Sequence, residues 1–535
     1  MASETREIAP ESTTPGSFFA FSNGVALRSK AVSLPAPMPR PSMPRRSDQR
    51  IRLLGFSSLD AVCSKVACYR KRRATLDNRT MIRFLENFIV SLWNRIAQRR
   101  REARFEGGTD LGYLVSDGAV TKRHYMVSNQ RRSMHIAVLG KTGSGKSFFL
   151  RHLAQQDIKA GRGFLYFDLH GDTTPFLLRI INLREREEHR HLDDKLILVE
   201  PADPIVSVGF NPLEHGTDFV RITEFAQVLR DRWHLDSFGA RTDELLRNSL
   251  YALSDNGLTL VELAAFLTNA QFRTACMTRV TNPDVRQYFD SRFGSQSEAM
   301  QAAMREPILN KTSAFTADPH FRHIVGQPST FSMQEALDEG CWVIVNLAKG
   351  RLGEQALTLG SLILTVLKNA LFTREKRSLY TVYCDEIQNL VAYGSDIETM
   401  LSEARKFGVG VVSANQFLDQ YPVEMRAAIL SVGTHAFFQL SSSDATQIAQ
   451  ALDGGKSLGE RLKNLYRRHA ILKTGAERSL EIAVPTVREP QVDATDLLNR
   501  SRGRWGRARV VIERGIAKRQ AEVLAAKEEG PHGWE

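Results

Sequence analysis

Hydrophobic and polar positions change their period several times along this chain. Near the middle, short apolar runs alternate with helical periodicity. His135–Leu139 is such a run, followed by a glycine-rich turn and a helix from about Lys146. Gly163–Phe167 and Lys195–Val199 are two more. From about Asp218 to Met304 strand signals thin out and helical spacing dominates. Apolar runs return at Trp342–Leu347, Tyr380–Cys384, Val409–Ser413 and His435–Leu440, with helices such as Leu357–Phe372 between them. Continuous apolar strands separated by helices predict a parallel sheet covered on both faces, an α/β fold interrupted by a block of helices.

The ends differ from this. Residues 1–50 are proline-rich and predict a flexible leader. Residues 51–105 predict a basic helical region, and glycines at 107, 108, 112 and 118 punctuate short strands through about Tyr125. The expected organisation is the leader, the basic region, a first sheet segment over 106–216, a helical insertion over 217–330, a second sheet segment over 331–510, and a charged helical tail over 511–535.

Charge sharpens this picture. The net charge is +12, and residues 1–104 carry 20 Lys+Arg against 8 Asp+Glu, so the arm holds all of it. An acidic partner meets such an arm first; a solvated tail is the other reading. Within the arm, Met81–Trp93 is short for a membrane span, carries Arg83 and Glu86, and is followed by Arg95, Arg99, Arg100, Arg101 and Arg104. It is either a helix packed on its own domain or a basic amphipathic helix lying on a membrane or on nucleic acid. No 18-residue uninterrupted apolar stretch predicts a transmembrane helix, and the start does not resemble a signal peptide. The five cysteines are scattered and odd in number, which points to a reducing compartment without a disulfide or zinc framework; Cys63 and Cys68 stand alone.

The chemistry is concentrated at strand ends. Gly140-Lys141-Thr142-Gly143-Ser144-Gly145-Lys146-Ser147 fits G-x-x-x-x-G-K-[ST], after an apolar strand and before a helix. Glycines let backbone N–H groups wrap phosphate oxygens, Lys146 reaches the β- and γ-phosphates, and Ser147 holds Mg²⁺. The expected ligand is ATP (or GTP) with Mg²⁺, held by residues 140–147 and the adjoining Phe148. The strand before Asp385-Glu386 is buried, so Asp385 is expected in the Mg²⁺ shell and Glu386 as the base that orients water. Gln416, at the end of another buried strand, is read as a γ-phosphate sensor or as a plain strand cap. Asp168 also ends a strand, and loop shaping is its expected role.

These motifs together resemble a known group. MHIAVLGKTGSGKS, FDLHGD, GFNPLE (Gly209–Glu214), YCDEIQNL, EARKFG (Glu403–Gly408) and SANQ are similar to the HerA/FtsK superfamily, and within it to the type IV secretion coupling proteins of conjugation. The resemblance spans about residues 130–510 and includes SFGARTDELLRN (Ser237–Asn248) and SRGRWGRARVVIERGI. It implies a RecA-like core with an all-α domain inserted between the Lys146 and Asp385 motifs. It also implies a homo-hexamer that moves DNA by ATP hydrolysis, with nucleotide between subunits and an arginine supplied by the neighbour. Arg405 matches the family position for that arginine; Arg241 is a weaker second candidate. The implied partners are sequence-independent DNA, a type IV secretion channel and relaxosome components. Coupling proteins of this type usually carry N-terminal membrane helices, and none is read here. The expected location is therefore cytoplasmic, with peripheral association at the inner membrane through a separate membrane protein or the basic helix near 81–104, or else that of a soluble relative in DNA processing. The alternatives are a HerA-like DNA-processing translocase and a secretion ATPase that acts on protein.

Overall fold

The computed structural model describes residues 108–214, 219–391, 396–421 and 423–525. All lie within the unit Val90–Glu535. The leader, the basic region with Met81–Trp93, and Cys63 and Cys68 lie outside the described residues.

The described residues form thirteen strands: β1 (Thr109–Ser116), β2 (Ala119–Val127), β3 (Ile136–Leu139), β4 (Phe164–Asp168), β5 (Leu196–Val199), β6 (Val206–Val208), β7 (Trp342–Asn346), β8 (Tyr380–Asp385), β9 (Val409–Asn415), β10 (Thr434–Phe437), β11 (His469–Thr474), β12 (Leu480–Ala483) and β13 (Gly506–Ala508). Eleven form one sheet, ordered β2-β1-β12-β11-β10-β3-β9-β8-β4-β7-β5. From β10 to β5 neighbouring strands are parallel. The other four extend the sheet antiparallel beyond β10. β6 and β13 form a separate antiparallel pair.

The parallel strands are apolar at nearly every position because both faces are covered. Alternate residues feed two cores. Ile136 and Val138 of β3, Phe164 and Tyr166 of β4, and Trp342 and Ile344 of β7 pack with Phe149, Leu150 and Leu153 of the helix Lys146–Ala160. Ala137 and Leu139, Leu165 and Phe167, and Val343 and Val345 pack on the other face. That second core includes the helix Gln355–Phe372 and the helical insertion. Gln355–Phe372 is, among the described residues, the one helix long and apolar enough to cross a membrane, and it is a core helix, 78% buried.

Between Phe219 and Glu339 the described elements are all helical. The insertion enters after β6 and leaves before β7, so it interrupts the sheet in sequence and sits on one face of it in space. The stretch expected as a charged tail begins in a packed helix, Arg509–Ala525, whose Ile512, Ile516 and Val523 are buried. Its Arg519 donates to the buried Glu262 of the insertion at 3.0 Å and to Gly326 O at 2.6 Å. The charged helical spacing of 511–525 therefore has an apolar side that the insertion covers.

Cys276, Cys341 and Cys384 are free and buried. Burial pushes the Cys276 thiol up to about 12 and the Cys341 thiol up to about 11. Thiols held this high are neutral and unreactive at neutral pH.

Candidate functional site: a phosphate loop and a linked acid

In a parallel sheet the carboxyl ends of the strands form the ligand crevice. β3 lies between β9 and β10, so the loop after it is anchored on both sides. Gly140 N donates to Asn415 O at 3.2 Å, and Lys141 N donates to Gln439 O at 2.8 Å. Residues 146–160 then form a 15-residue helix whose positive end faces the loop.

Glycine is needed at Gly145. Its φ is +119°, and an added Cβ would lie 2.9 Å from Arg468 Cα. That neighbour is backbone, and it is tied to the loop because Arg468 N donates to Ser144 O at 2.7 Å. Gly145→Ala is therefore expected to distort the loop and weaken nucleotide affinity at least tenfold, about 1.4 kcal/mol. Titration with a fluorescent ATP analogue checks this; wild-type affinity would show that the loop tolerates the shift.

The loop fits a polyphosphate. Lys146 Nζ donates to Gly140 O at 2.6 Å and to Lys141 O at 3.2 Å, so the ammonium is held over the loop. Burial lowers the Lys146 pKa, against the opposing pull of Asp385 and Glu386. Ser144 Oγ is buried without a hydrogen-bond partner. The Ser147 hydroxyl lies 3.4 Å from Asp385 Oδ2. Burial raises the Asp385 pKa, with Lys146 acting against it. A hydroxyl beside a desolvated acid suits Mg²⁺, which takes few protein ligands and completes its shell with water and phosphate oxygens. ATP and Mg²⁺ are the groups this donor set accommodates. Among the described residues no cluster of three or more His, Cys, Asp or Glu is placed to hold a metal.

Glu386 follows β8 with φ +55°, a left-handed conformation rare for a side chain of this kind. Its backbone N donates to Ala414 O at 2.7 Å. Both carboxylate oxygens accept hydrogen bonds: Oε1 from Gln416 Nε2 at 2.6 Å and Oε2 from Asn389 Nδ2 at 3.0 Å. Gln416 Oε1 accepts from Thr142 Oγ1 at 2.8 Å. The phosphate loop, Gln416 and Glu386 thus form one chain of hydrogen bonds. The Gln416 side chain, at the end of β9, bridges the two motifs.

Asp168 turns its carboxylate inward. It accepts from the backbone N of Gly171, Thr173 and Thr174 at 2.9, 2.9 and 2.7 Å, and from Thr174 Oγ1 at 2.7 Å. With its acceptor positions taken by its own loop, Asp168 shapes that loop. His170 from the same loop is exposed, with Nε2 3.9 Å from Glu386 Oε2.

Arg405 is not brought to this cluster. It lies on the turn Ala404–Phe407 before β9, at the opposite end of the strands, and is exposed. It lines a groove of about 420 Å³ with Met134, His135, Leu401 and Gly433. Buried His135 is fully paired there, donating from Nε2 to Leu401 O at 2.7 Å and accepting from Val411 N at Nδ1. Burial, with Arg405 nearby, lowers its pKa to about 4. Within one chain Arg405 cannot serve its own site. Arg241 lies in the first turn of the helix Ala240–Asp255 in the insertion, beside Met300.

Two arginines that no motif marks stand beside the loop. The Arg467 and Arg468 guanidinium groups lie 5.9 and 6.0 Å from the centroid of the Phe148 ring. The run Tyr466-Arg467-Arg468-His469 is the available signal, with Tyr466 75% exposed.

A strand, a phosphate loop, a helix and a strand-end Asp-Glu pair on a parallel sheet define a P-loop ATPase. Residues 109–269 match the family model for the central domain of the helicase HerA. The chain is a P-loop ATPase whose residues 109–269 are similar to the HerA central domain. No curated protein sequence matches it. Among solved structures it is similar to the bacterial conjugative coupling protein TrwBdeltaN70 in its unbound monoclinic form, at 16% identity and TM-score 0.49, over 74% of this chain and 94% of that one. It is also similar to VirB4 of Thermoanaerobacter pseudethanolicus, at 13% identity and TM-score 0.48, over 71% of this chain and 97% of that one.

Proposed function

We propose that this ATPase is a DNA translocase that delivers DNA, alone or with bound protein, to a type IV secretion channel. The observation that carries the motor reading is the continuous link from Thr142 through Gln416 to Glu386. A nucleotide switch needs a phosphate loop; it does not need a base wired to that loop.

Mg²⁺, when bound, would supply positive charge that offsets the negative charge on the phosphate oxygens. Lys146 neutralises the β- and γ-phosphate oxygens. Ser147 and Asp385 hold the metal's protein side. Glu386 orients a water and accepts its proton as it attacks the γ-phosphorus, while the bond to the β–γ bridging oxygen breaks and ADP leaves. Gln416, bonded to Thr142 and Glu386, senses whether a γ-phosphate is in place. Loss of that phosphate changes the Thr142 contact and passes to the carboxylate.

Arg405, at the far end of β9, stabilises transferring charge in the site of a neighbouring copy, which makes a closed homo-hexameric ring the working form. DNA passes through the ring without base readout, and relaxosome components and the channel meet it at either end. The family match over residues 109–269 supports this reading. The basic arm of residues 1–104 supports DNA recruitment or peripheral docking at the inner membrane.

The test is ATP turnover with and without single- and double-stranded DNA at two salt concentrations, for the intact chain and Lys146→Ala. DNA is expected to stimulate turnover, less so at the higher salt. Lys146→Ala, which removes charge-assisted contacts of about 1.5–3 kcal/mol, is expected to lose nucleotide affinity roughly 10–100-fold and to abolish stimulation. Turnover indifferent to DNA would replace this proposal with an ATPase acting on protein.

A further inference from the structure

A side chain of the insertion donates to the catalytic turn. Arg232 ends the helix Phe219–Arg232. Its Nη2 donates to Asn389 O at 2.6 Å, and its Nε donates to Ser361 Oγ at 2.8 Å. Ser361, on the core helix Gln355–Phe372, donates to Leu390 O at 2.6 Å. Asn389 and Leu390 close the turn that begins at Glu386: Asn389 N donates to Glu386 O, and Leu390 N donates to Ile387 O, both at 2.9 Å. The Asn389 side chain then donates to Glu386 Oε2 at 3.0 Å. A path of hydrogen bonds runs from the insertion to the carboxylate.

This path is placed to act on geometry. Glu386 sits in a left-handed conformation, so its direction depends on what holds the following turn. The turn's last carbonyls have no partner within the turn itself. Arg232 and Ser361 supply them. Farther along the same helix, Glu224 accepts from Lys368 Nζ at 2.8 Å, which fixes the helix to the core helix Gln355–Phe372. Burial lowers the Arg232 pKa to about 10, so the guanidinium stays charged at neutral pH. A charge-assisted donor to a carbonyl is among the stronger neutral-acceptor contacts, and moving it moves the turn.

We propose that Arg232 is a positioning residue that ties the helical insertion to Glu386, so that the placement of the insertion sets the rate of ATP hydrolysis. The inference rests on the proposed role of Glu386 as the base; the link to Glu386 stands on the contacts above. Those contacts end at Glu386 Oε2 and its turn, whereas the phosphate loop is reached from the other oxygen, through Gln416. Their loss therefore changes turnover and leaves nucleotide binding in place.

The experiment uses the full chain with Arg232→Ala, Arg232→Lys, Asn389→Ala and the double variant Arg232→Ala/Asn389→Ala. It measures kcat, KM, affinity for a fluorescent ATP analogue, and amide exchange. Arg232→Ala is expected to lower kcat at least tenfold with affinity within twofold of wild type. The double variant should lose no more than the worse single variant, because both cut one path. Arg232→Lys keeps the charge but cannot reach both Asn389 O and Ser361 Oγ, so it should fall between. It also decides the matter if the alanine variant does not fold. Faster exchange confined to residues 387–391 in Arg232→Ala is expected whether or not the chain turns over. Unchanged exchange there, unchanged kcat, or fully additive losses would overturn the inference. A wild-type chain that binds ATP and shows the expected exchange difference but never hydrolyses would instead overturn the ATPase reading.

Discussion

Glu386→Gln is expected to bind ATP with an affinity near wild type and to hydrolyse it about 10²–10⁴-fold more slowly. The substitution keeps size and shape and removes the proton acceptor. It also disturbs the hydrogen bonds around it in a defined way. Glu386 accepts from the Gln416 and Asn389 amides, one at each oxygen. A glutamine there has one acceptor oxygen and one donor nitrogen, so one of those two donors must turn away. If Gln416 turns, the contact with Thr142 at 2.8 Å goes with it. Two effects then combine, loss of the base and loss of the link to the phosphate loop. Glu386→Asp separates them: it keeps a carboxylate but draws it back by one methylene. Single-turnover phosphate release, measured beside binding of a fluorescent ATP analogue, reads both. Retention of more than a tenth of wild-type turnover in Glu386→Gln would remove Glu386 from the chemistry and leave its hydrogen bonds as a structural device.

Much of this site is legible in the sequence because it sits where local pattern and function coincide. β3, β4, β5, β7, β8 and β9 are buried on both faces, so each reads as a nearly unbroken apolar run. The residue that ends such a run lies at the crevice. Gly140–Ser147, Asp385, Glu386 and Gln416 all follow runs of this kind, and the structure links them by hydrogen bonds between neighbouring strand ends. The insertion is legible for the complementary reason, a loss of strand signals over about a hundred residues.

What the sequence does not carry is contact between ordinary polar residues far apart in the chain. Arg232 and Asn389 meet across 157 positions; Asn389 lies in the YCDEIQNL motif, but no motif marks Arg232. Arg467 and Arg468 belong to a loop before β11, an antiparallel strand of an extension that no alternating pattern announces. The helix Arg509–Ala525 reads as charged tail because only Ile512, Ile516 and Val523 are buried, too few to stand out among its arginines. Arg405 is placed by family resemblance, and its position at the far end of β9 shows why residues alone could not place it: its work, on the proposed reading, is in another copy.

The largest loss of stability is expected at Asp157, which holds no catalytic role. It lies near the end of the helix Lys146–Ala160, and its carboxylate is fully buried. Arg132 donates to it twice, from Nη1 at 2.6 Å and Nη2 at 2.8 Å, and Arg162 Nε donates at 2.7 Å. Tyr383 of β8 donates its hydroxyl at 2.5 Å. Arg132 itself is 2% exposed and also reaches Thr109 and Thr381. The cluster therefore joins β1, the turn before β3, β8 and the far end of the phosphate-loop helix. Breaking a buried pair from one side leaves an uncompensated charge and costs about 3–5 kcal/mol. Asp157→Asn is expected to lower Tm by about 3–6 °C, since at about 2.1 cal/mol/K per residue a unit of roughly 400 residues shifts by about 1 °C per kcal/mol. Burial alone would raise the Asp157 pKa; Arg132 and Arg162 overcome it and hold it at about 2. A folded pKa below the unfolded value means the stabilisation is whole above about pH 4 and is lost as pH falls toward 2, an amount of about 2 kcal/mol. Once Asp157 is protonated, wild type and Asp157→Asn no longer differ in charge at this position. The Tm gap between them should therefore narrow from pH 7 to pH 3. A gap that stays constant over that range would assign the loss to shape and hydrogen bonding, and would remove the buried charge pair as what holds the nucleotide helix to its sheet.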